Sequence, residues 1–280
     1  MSLKIITDSA SDIRPDEYEN VIVLPMTISF DGVEYKDGID IDQTQFFEKL
    51  IECENLPKTS QVNPADFEAA YEKIKKDGDE AIVITMSSQL SGTNQSANIA
   101  AQDYSDVISV IDSETVTIGE HILVKKMCTM IEQGLTRSQI VAEIEVLKKK
   151  IRLIALLDTL EYLRRGGRVS NIAGFVGEAL AIKPVIAIAD GVVKVLGKAR
   201  GSKNGNNLLN KQIEACNGID YDSPIFVAYS GLSDSLLNKY LEDNKDLWEN
   251  KAQDLTKCCI GGTIGTHAGP GAIAVSFLEK

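Results

Sequence analysis

Short apolar, β-branched runs recur in the first half of the chain, at Leu3–Ile6, Val21–Leu24, Ala81–Thr85 and Val107–Ile111. Each has the length of a buried strand. Between them the apolar positions change to helical spacing. Asp42 is placed to cap a helix carrying Phe46, Phe47, Leu50 and Ile51 on one face. Asn63-Pro64 marks the start of another helix, followed by Phe67, Tyr71 and Ile74. Residues 114–150 read as two more helices, broken near Gly134 and resumed from a Thr136 cap. This alternation predicts a parallel sheet covered by helices.

The second half has a different texture. Ile151–Leu157 reads as a strand, and Pro184–Ala189 and Val192–Leu196 flank Asp190-Gly191, a strong hairpin signal. Pro224–Tyr229 and Ala272–Phe277 add strands, and helices are expected near Leu208–Ala215 and Ser233–Leu241. A hairpin combined with helices predicts a mixed sheet. The expectation is therefore an α/β protein of two domains: a parallel α/β/α unit over 1–150 and a mixed-sheet α/β unit over 151–280. The longest apolar runs are strand-sized, far short of a bilayer span.

Composition narrows the function classes. Hydrophobic residues make up 44% and charged residues 25%, as in an ordinary globular protein. Lys plus Arg total 29 against 41 for Asp plus Glu, a formal charge of −12. That balance disfavours nucleic acid as a partner and allows at most transient contact with an anionic membrane. With no apolar leader at the N-terminus, a cytoplasmic protein is expected. The five cysteines form no CxxC pair and the only histidines are His121 and His267. Neither a disulfide framework, a metal centre nor a cofactor is expected.

Four segments place hydroxyls and glycines where strands are expected to end. Thr7-Asp8-Ser9 follows the opening strand, a rim position in open α/β sheets, although an Asp/Ser turn explains it as well. Lys58-Thr59-Ser60-Gln61 precedes the Asn63-Pro64 helix start, where hydroxyls beside helix amides suit an anion or a plain cap. Residues 87–96, SSQLSGTNQS, surround Gly92 with hydroxyl donors. Residues 265–272, GTHAGPGA, set three glycines and a proline around His267, implying a tight backbone path close to something. Two cationic pieces accompany them, Arg164-Arg165-Gly166-Gly167-Arg168 and Gly197-Lys198-Ala199-Arg200. A serine hydrolase or a phosphoryl-transfer enzyme is the competing idea. No Gly-x-Ser-x-Gly elbow or Walker lysine is present, so a passive donor shell fits better than a nucleophile.

Taken in order, TDS at 7–9, KTSQ at 58–61, SSQLSGTNQSA at 87–97, DS at 112–113, LEYLRRGGR at 160–168, KP at 183–184, GKAR at 197–200 and GTHAGPGA at 265–272 resemble the DegV family. The likeness runs through residues 3–279 and includes the fatty-acid-binding subunits of bacterial fatty acid kinase. It implies a long-chain fatty acid such as palmitate buried between two domains, with Thr59 and Ser91 bonded to its carboxylate. Gly92, Thr93 and His267 would complete that head-group site, with Ser60, Arg168, Asp8, Ser9 and Thr266 in a supporting network. It further implies a non-enzymatic carrier that presents the acid to a kinase catalytic subunit; charge alone, not the resemblance, points to Arg164, Arg165, Lys198 and Arg200 as cations for docking. Ala274 stands where the family pattern leads one to expect glycine, a change expected to tighten a turn. The stretch Ile172–Ile182 alternates bulky and small apolar residues, a composition that suits an acyl tunnel and ordinary helix packing about equally.

Overall fold

The computed structural model describes residues 2–169, 182–248 and 255–280. Most of the stretch whose composition suits a tunnel, residues 172–181, lies outside the described residues. In the first half, β1 (Leu3–Asp8), β2 (Val21–Leu24), β6 (Glu80–Thr85) and β7 (Ile108–Asp112) form a parallel sheet in the order β2-β1-β6-β7. The helices of this half are α1 (Gln43–Glu52), α2 (Pro64–Asp77), α3 (Thr93–Ala100), α4 (Thr117–Glu132) and α5 (Arg137–Leu147). Their starts follow from local chemistry. Asp42 accepts from the Gln45 amide at 2.8 Å, and Asn63 from the Asp66 amide at 3.0 Å with Pro64 next in the chain.

The first half also contains a small antiparallel sheet that the hydrophobic pattern did not predict. It joins β4 (Val33–Lys36), β3 (Thr27–Phe30) and β5 (Lys58–Ser60). Thr59 therefore lies on a strand, opposite Ile28, rather than in a loop. Ile51 departs from expectation too. Phe46, Phe47 and Leu50 are buried against Ile28 and Phe30, whereas Ile51 is 57% exposed, because the core contact covers only part of α1.

The second half forms a six-stranded mixed sheet. Its strands are β8 (Ile151–Leu156), β9 (Ile182–Ala189), β10 (Val192–Arg200), β11 (Ile225–Tyr229), β12 (Leu255–Cys259) and β13 (Ile273–Leu278), in the order β10-β9-β8-β13-β11-β12. All neighbours are antiparallel except β11 and β12. The predicted hairpin is present, with Asp190 and Gly191 both at positive φ. Helices α6 (Glu161–Arg165), α7 (Ser202–Glu214), α8 (Ser235–Asp243), α9 (Lys245–Trp248) and α10 (Gly262–Ala268) complete the described elements.

Both faces of this sheet are apolar. Ile154, Leu156, Val185, Val275 and Phe277 pack with Leu209 and Ile213 of α7 and Leu237 and Tyr240 of α8. The other face turns toward the parallel sheet. One core cluster joins Ile5 and Ile82 of that sheet to Leu153 and Ala274 of the mixed one. Helix α4 lies between the sheets, touching β1, β6, β8, β11 and β13, and every residue from Thr117 to Val124 is buried. A helix buried on all sides needs no amphipathic stripe. No helix among the described residues is long and apolar enough to cross a membrane.

Candidate functional site

Between the two sheets lies an apolar cavity lined by residues from both halves of the chain. One wall is the inner face of the mixed sheet: Leu153, Ala155 and Leu157, then Ile186 and Ile188, then Ala272 and Ala274. Alternate residues of a strand share a face, so three neighbouring strand segments supply a continuous apolar surface. Met26, Met86, Leu90 and Val116 face it from the first half of the chain.

Polar groups gather at two borders of this cavity. The first contains Thr59, Gln61, Ser91, Arg168 and His267. Thr59 Oγ1 is 3.1 Å from His267 Nε2. His267 Nδ1 has no partner among the described residues and abuts Gly166, where an added β-carbon would sit 2.2 Å away. With the proton on Nε2, His267 donates to Thr59, and the Thr59 hydroxyl proton is left free to point at a ligand. That tautomer also avoids burying an unpaired N–H at Nδ1. Burial, together with the charge of Arg168, pushes the imidazole down to about 4, so it is neutral at pH 7. Ser91 Oγ accepts from the Thr93 amide at 3.2 Å and shares a 2.9 Å bond with Thr93 Oγ1. Arg168 is exposed at the rim and donates to the Leu90 carbonyl at 3.3 Å and the Gly166 carbonyl at 2.7 Å.

The second border is Thr117 and Thr263, and behind them lie buried acids. Asp12 accepts from the Thr117 hydroxyl and the Gly261 amide. Asp37 accepts from the amides of Gly262 and Thr263, at 3.1 and 3.0 Å, and from the hydroxyls of Thr263 and Ser9. Asp8 takes the amides of Ala10 and Met86. Desolvation raises Asp8 to about 7 and Asp12 to about 8, opposed by these donors and reinforced by the neighbouring carboxyls. This seam ties the start of α10, the helix that carries His267, to the first half of the chain.

A sequence profile described as "Uncharacterised protein, DegV family" matches residues 2–280. The chain belongs to the DegV family. A DegV domain-containing protein of Caldanaerobacter subterraneus subsp. tengcongensis is 35% identical, with 99% of each chain covered. Among solved structures, a DegV family protein from Thermus thermophilus, described as fatty acid binding, superposes with a TM-score of 0.88 at 28% identity, covering all of both chains. A stearic-acid-binding protein from Eubacterium ventriosum gives a TM-score of 0.87 at 27% identity, covering 100% of this chain and 99% of that one. Solved relatives of the fold carry heptadecanoic, vaccenic and stearic acids.

Of the residues that the DegV resemblance singled out, Thr59, Ser91, Arg168 and His267 border the cavity together. Gly92 and Thr93 stand just behind Ser91. Gly92 faces the side chain of Gln61, and Thr93 is buried with its hydroxyl on Ser91. Ser60 is exposed, pointing away because it alternates with Thr59 along β5. Asp8 and Ser9 belong to the acid seam and a tight 3-10 turn, and Thr266 bonds the Gly262 carbonyl inside α10. None of these four borders the cavity.

The glycines near His267 serve packing. A β-carbon at Gly265 would meet Phe46 and Phe47, and one at Gly269 would collide with Tyr162. Ala274 is not in a turn. It lies within β13 opposite Ala155 and Ala228, with its methyl on the cavity wall. Arg164 and Arg165 both pair with Glu161 on α6, and Lys198 and Arg200 are exposed on β10. All five cysteines are free, and no metal-holding group occurs among the described residues.

Proposed function

We propose that this chain binds one long-chain fatty acid, such as palmitate, with the acyl chain in the cavity between the sheets and the carboxylate at Thr59 and Ser91. The observation that carries the reading is an apolar cavity with a single half-exposed border of hydroxyl, amide, guanidinium and imidazole groups. Burying a methylene is worth about 0.8 kcal/mol, so roughly fifteen supply on the order of 12 kcal/mol before the costs of association. The carboxylate then requires donors, since an unpaired charge at an apolar wall is costly. Thr59 accepts from His267 in that tautomer, which leaves its hydroxyl proton to donate, the Ser91 hydroxyl stands on the same border, and Arg168 adds positive charge at the rim.

We further read residues 1–150 and 151–280 as two domains flanking this cavity, and the chain as a carrier that presents its acid to a fatty acid kinase. The kinase would transfer a phosphoryl group from ATP to a carboxylate oxygen, releasing ADP and leaving an acyl phosphate on the carrier. A hydrolase reading is weakly supported. A neutral imidazole that protonates only near pH 4 is a poor base, and His267 bonds Thr59 rather than Ser91. Solvent extraction of purified protein followed by mass spectrometry should release about one fatty acid per chain. A lipid-free preparation that also fails to take up added palmitate would sink the binding reading. If lipid binds but a fatty acid kinase leaves it unphosphorylated, only the presentation step fails.

A further inference from the structure

Gln61, the last residue of the Lys58–Gln61 motif, is singled out by its surroundings. It stands two residues beyond Thr59, on the same side of the chain, and both border the cavity. Its amide joins the two segments that supply the hydroxyls. Gln61 Nε2 donates to Ser96 Oγ at 2.8 Å, and Ser96 is buried on α3, the helix that begins directly after Gly92. The same amide also covers Gly92. A β-carbon there would lie 2.0 Å from Gln61 Oε1, 2.8 Å from Cδ and 3.2 Å from Nε2, and its three nearest neighbours all belong to Gln61.

We propose that Gln61 is the positioning residue that sets the separation between the Thr59 and Ser91 hydroxyls, and that Gly92 is glycine to admit its amide. This rests on the fatty-acid reading of the site and adds a residue that acts through others. Without the Gln61 contacts, Ser91 keeps its bonds to Ser87 and Thr93 but loses its fixed distance from β5. A β-carbon at Gly92 would displace the Gln61 amide from the same contact. The two residues therefore form one energetic unit, and substitutions at both should not add.

The test is a double-mutant cycle with Gln61→Ala, Gly92→Ala and the pair, each titrated with palmitate by displacement of a fluorescent fatty acid. Melting temperatures recorded alongside separate folding defects from binding defects. Gln61→Ala should weaken binding about tenfold, the loss of roughly one hydrogen-bond contribution. Gly92→Ala should weaken it by a similar factor, and the double variant should bind no worse than Gln61→Ala alone. Gln61→Glu, which keeps the shape and adds a negative charge, should bind worse than Gln61→Ala and improve as pH falls through the carboxylate range. Unchanged affinity in Gln61→Ala, or strictly additive losses, overturns the proposal. Should wild-type protein bind no fatty acid under any condition, the functional reading fails and takes this one with it. Normal wild-type binding beside an inert Gln61 sinks the positioning role alone.

Discussion

At one border of the cavity Thr59, Ser91, Gln61 and Arg168 are at most partly buried, and a neutral His267 can leave the Thr59 hydroxyl proton free. At the other border Thr117 and Thr263 are buried, and their hydroxyls are consumed by Asp12 and Asp37. Both borders are polar and both touch the same apolar space. They differ in unused hydrogen-bonding capacity and in access. Groups with spare donors near solvent can receive a ligand, whereas saturated groups out of solvent hold the protein together. Polarity beside a pocket is therefore a poor guide unless the partners are counted.

The largest effect expected from this contrast is at the saturated border. Asp37→Ala strands two amides and two hydroxyls, and should cost about 4 kcal/mol in a urea titration. A loss under 1 kcal/mol would mean the seam is not structural. Next comes the open border. Thr59→Val combined with Ser91→Ala should lower palmitate affinity about a hundredfold, from two lost bonds to a charged group, while leaving stability within about 1 kcal/mol. A matching fall in stability would erase the contrast.

A third test uses pH. Asp8 and Asp12 titrate near 7 and 8 in the folded chain against an ordinary 3.8. The stability they confer is complete below pH 3.8 and is lost as pH rises through 7 to 8. His267 acts oppositely, costing stability as pH falls from 6.5 toward 4. Between pH 6.5 and 8.5 only these acids contribute among the three, and stability should drop by about 2 kcal/mol. Asp12→Asn should flatten that slope. The smallest effect belongs to Ile51→Lys on the exposed side of α1, within about 0.5 kcal/mol in the same titration.

The parallel sheet, the mixed sheet and the hairpin were legible because strand-length apolar runs and Asp190-Gly191 leave strong local patterns. Asp31-Gly32 carries the same hairpin signal, with both residues at positive φ, and joins β3 to β4. Strand β5 left no such trace. Lys58-Thr59-Ser60 has no apolar alternation, and only pairing with β3 makes it a strand. The family motifs drew attention to Thr59, Ser91, Arg168 and His267, which lie together on one border of the cavity. Gln61 escaped because its role depends on what it touches across the fold. The acid seam escaped for the same reason, since Asp12 and Asp37 lie far in sequence from the amides at 261–263, and Asp8 from the Met86 amide. The cavity wall could not be told from ordinary core, as residues on both faces of β8, β9 and β13 are apolar.

Under the fatty-acid reading, that two-faced sheet would make the lipid part of the folding equilibrium. An acyl chain lying against Leu153, Ile186 and Ala274 would belong to the core of both halves at once, touching side chains whose strands pack tightly behind them. A ligand bound only by the folded chain stabilises it by RT ln(1 + [L]/Kd), about 2.7 kcal/mol at a hundredfold excess over Kd. Under the fatty-acid reading, lipid supply would therefore govern how long each copy of the protein survives proteolysis. A cell short of free fatty acid would hold fewer carriers without changing their synthesis, and abundance itself would report on the lipid pool.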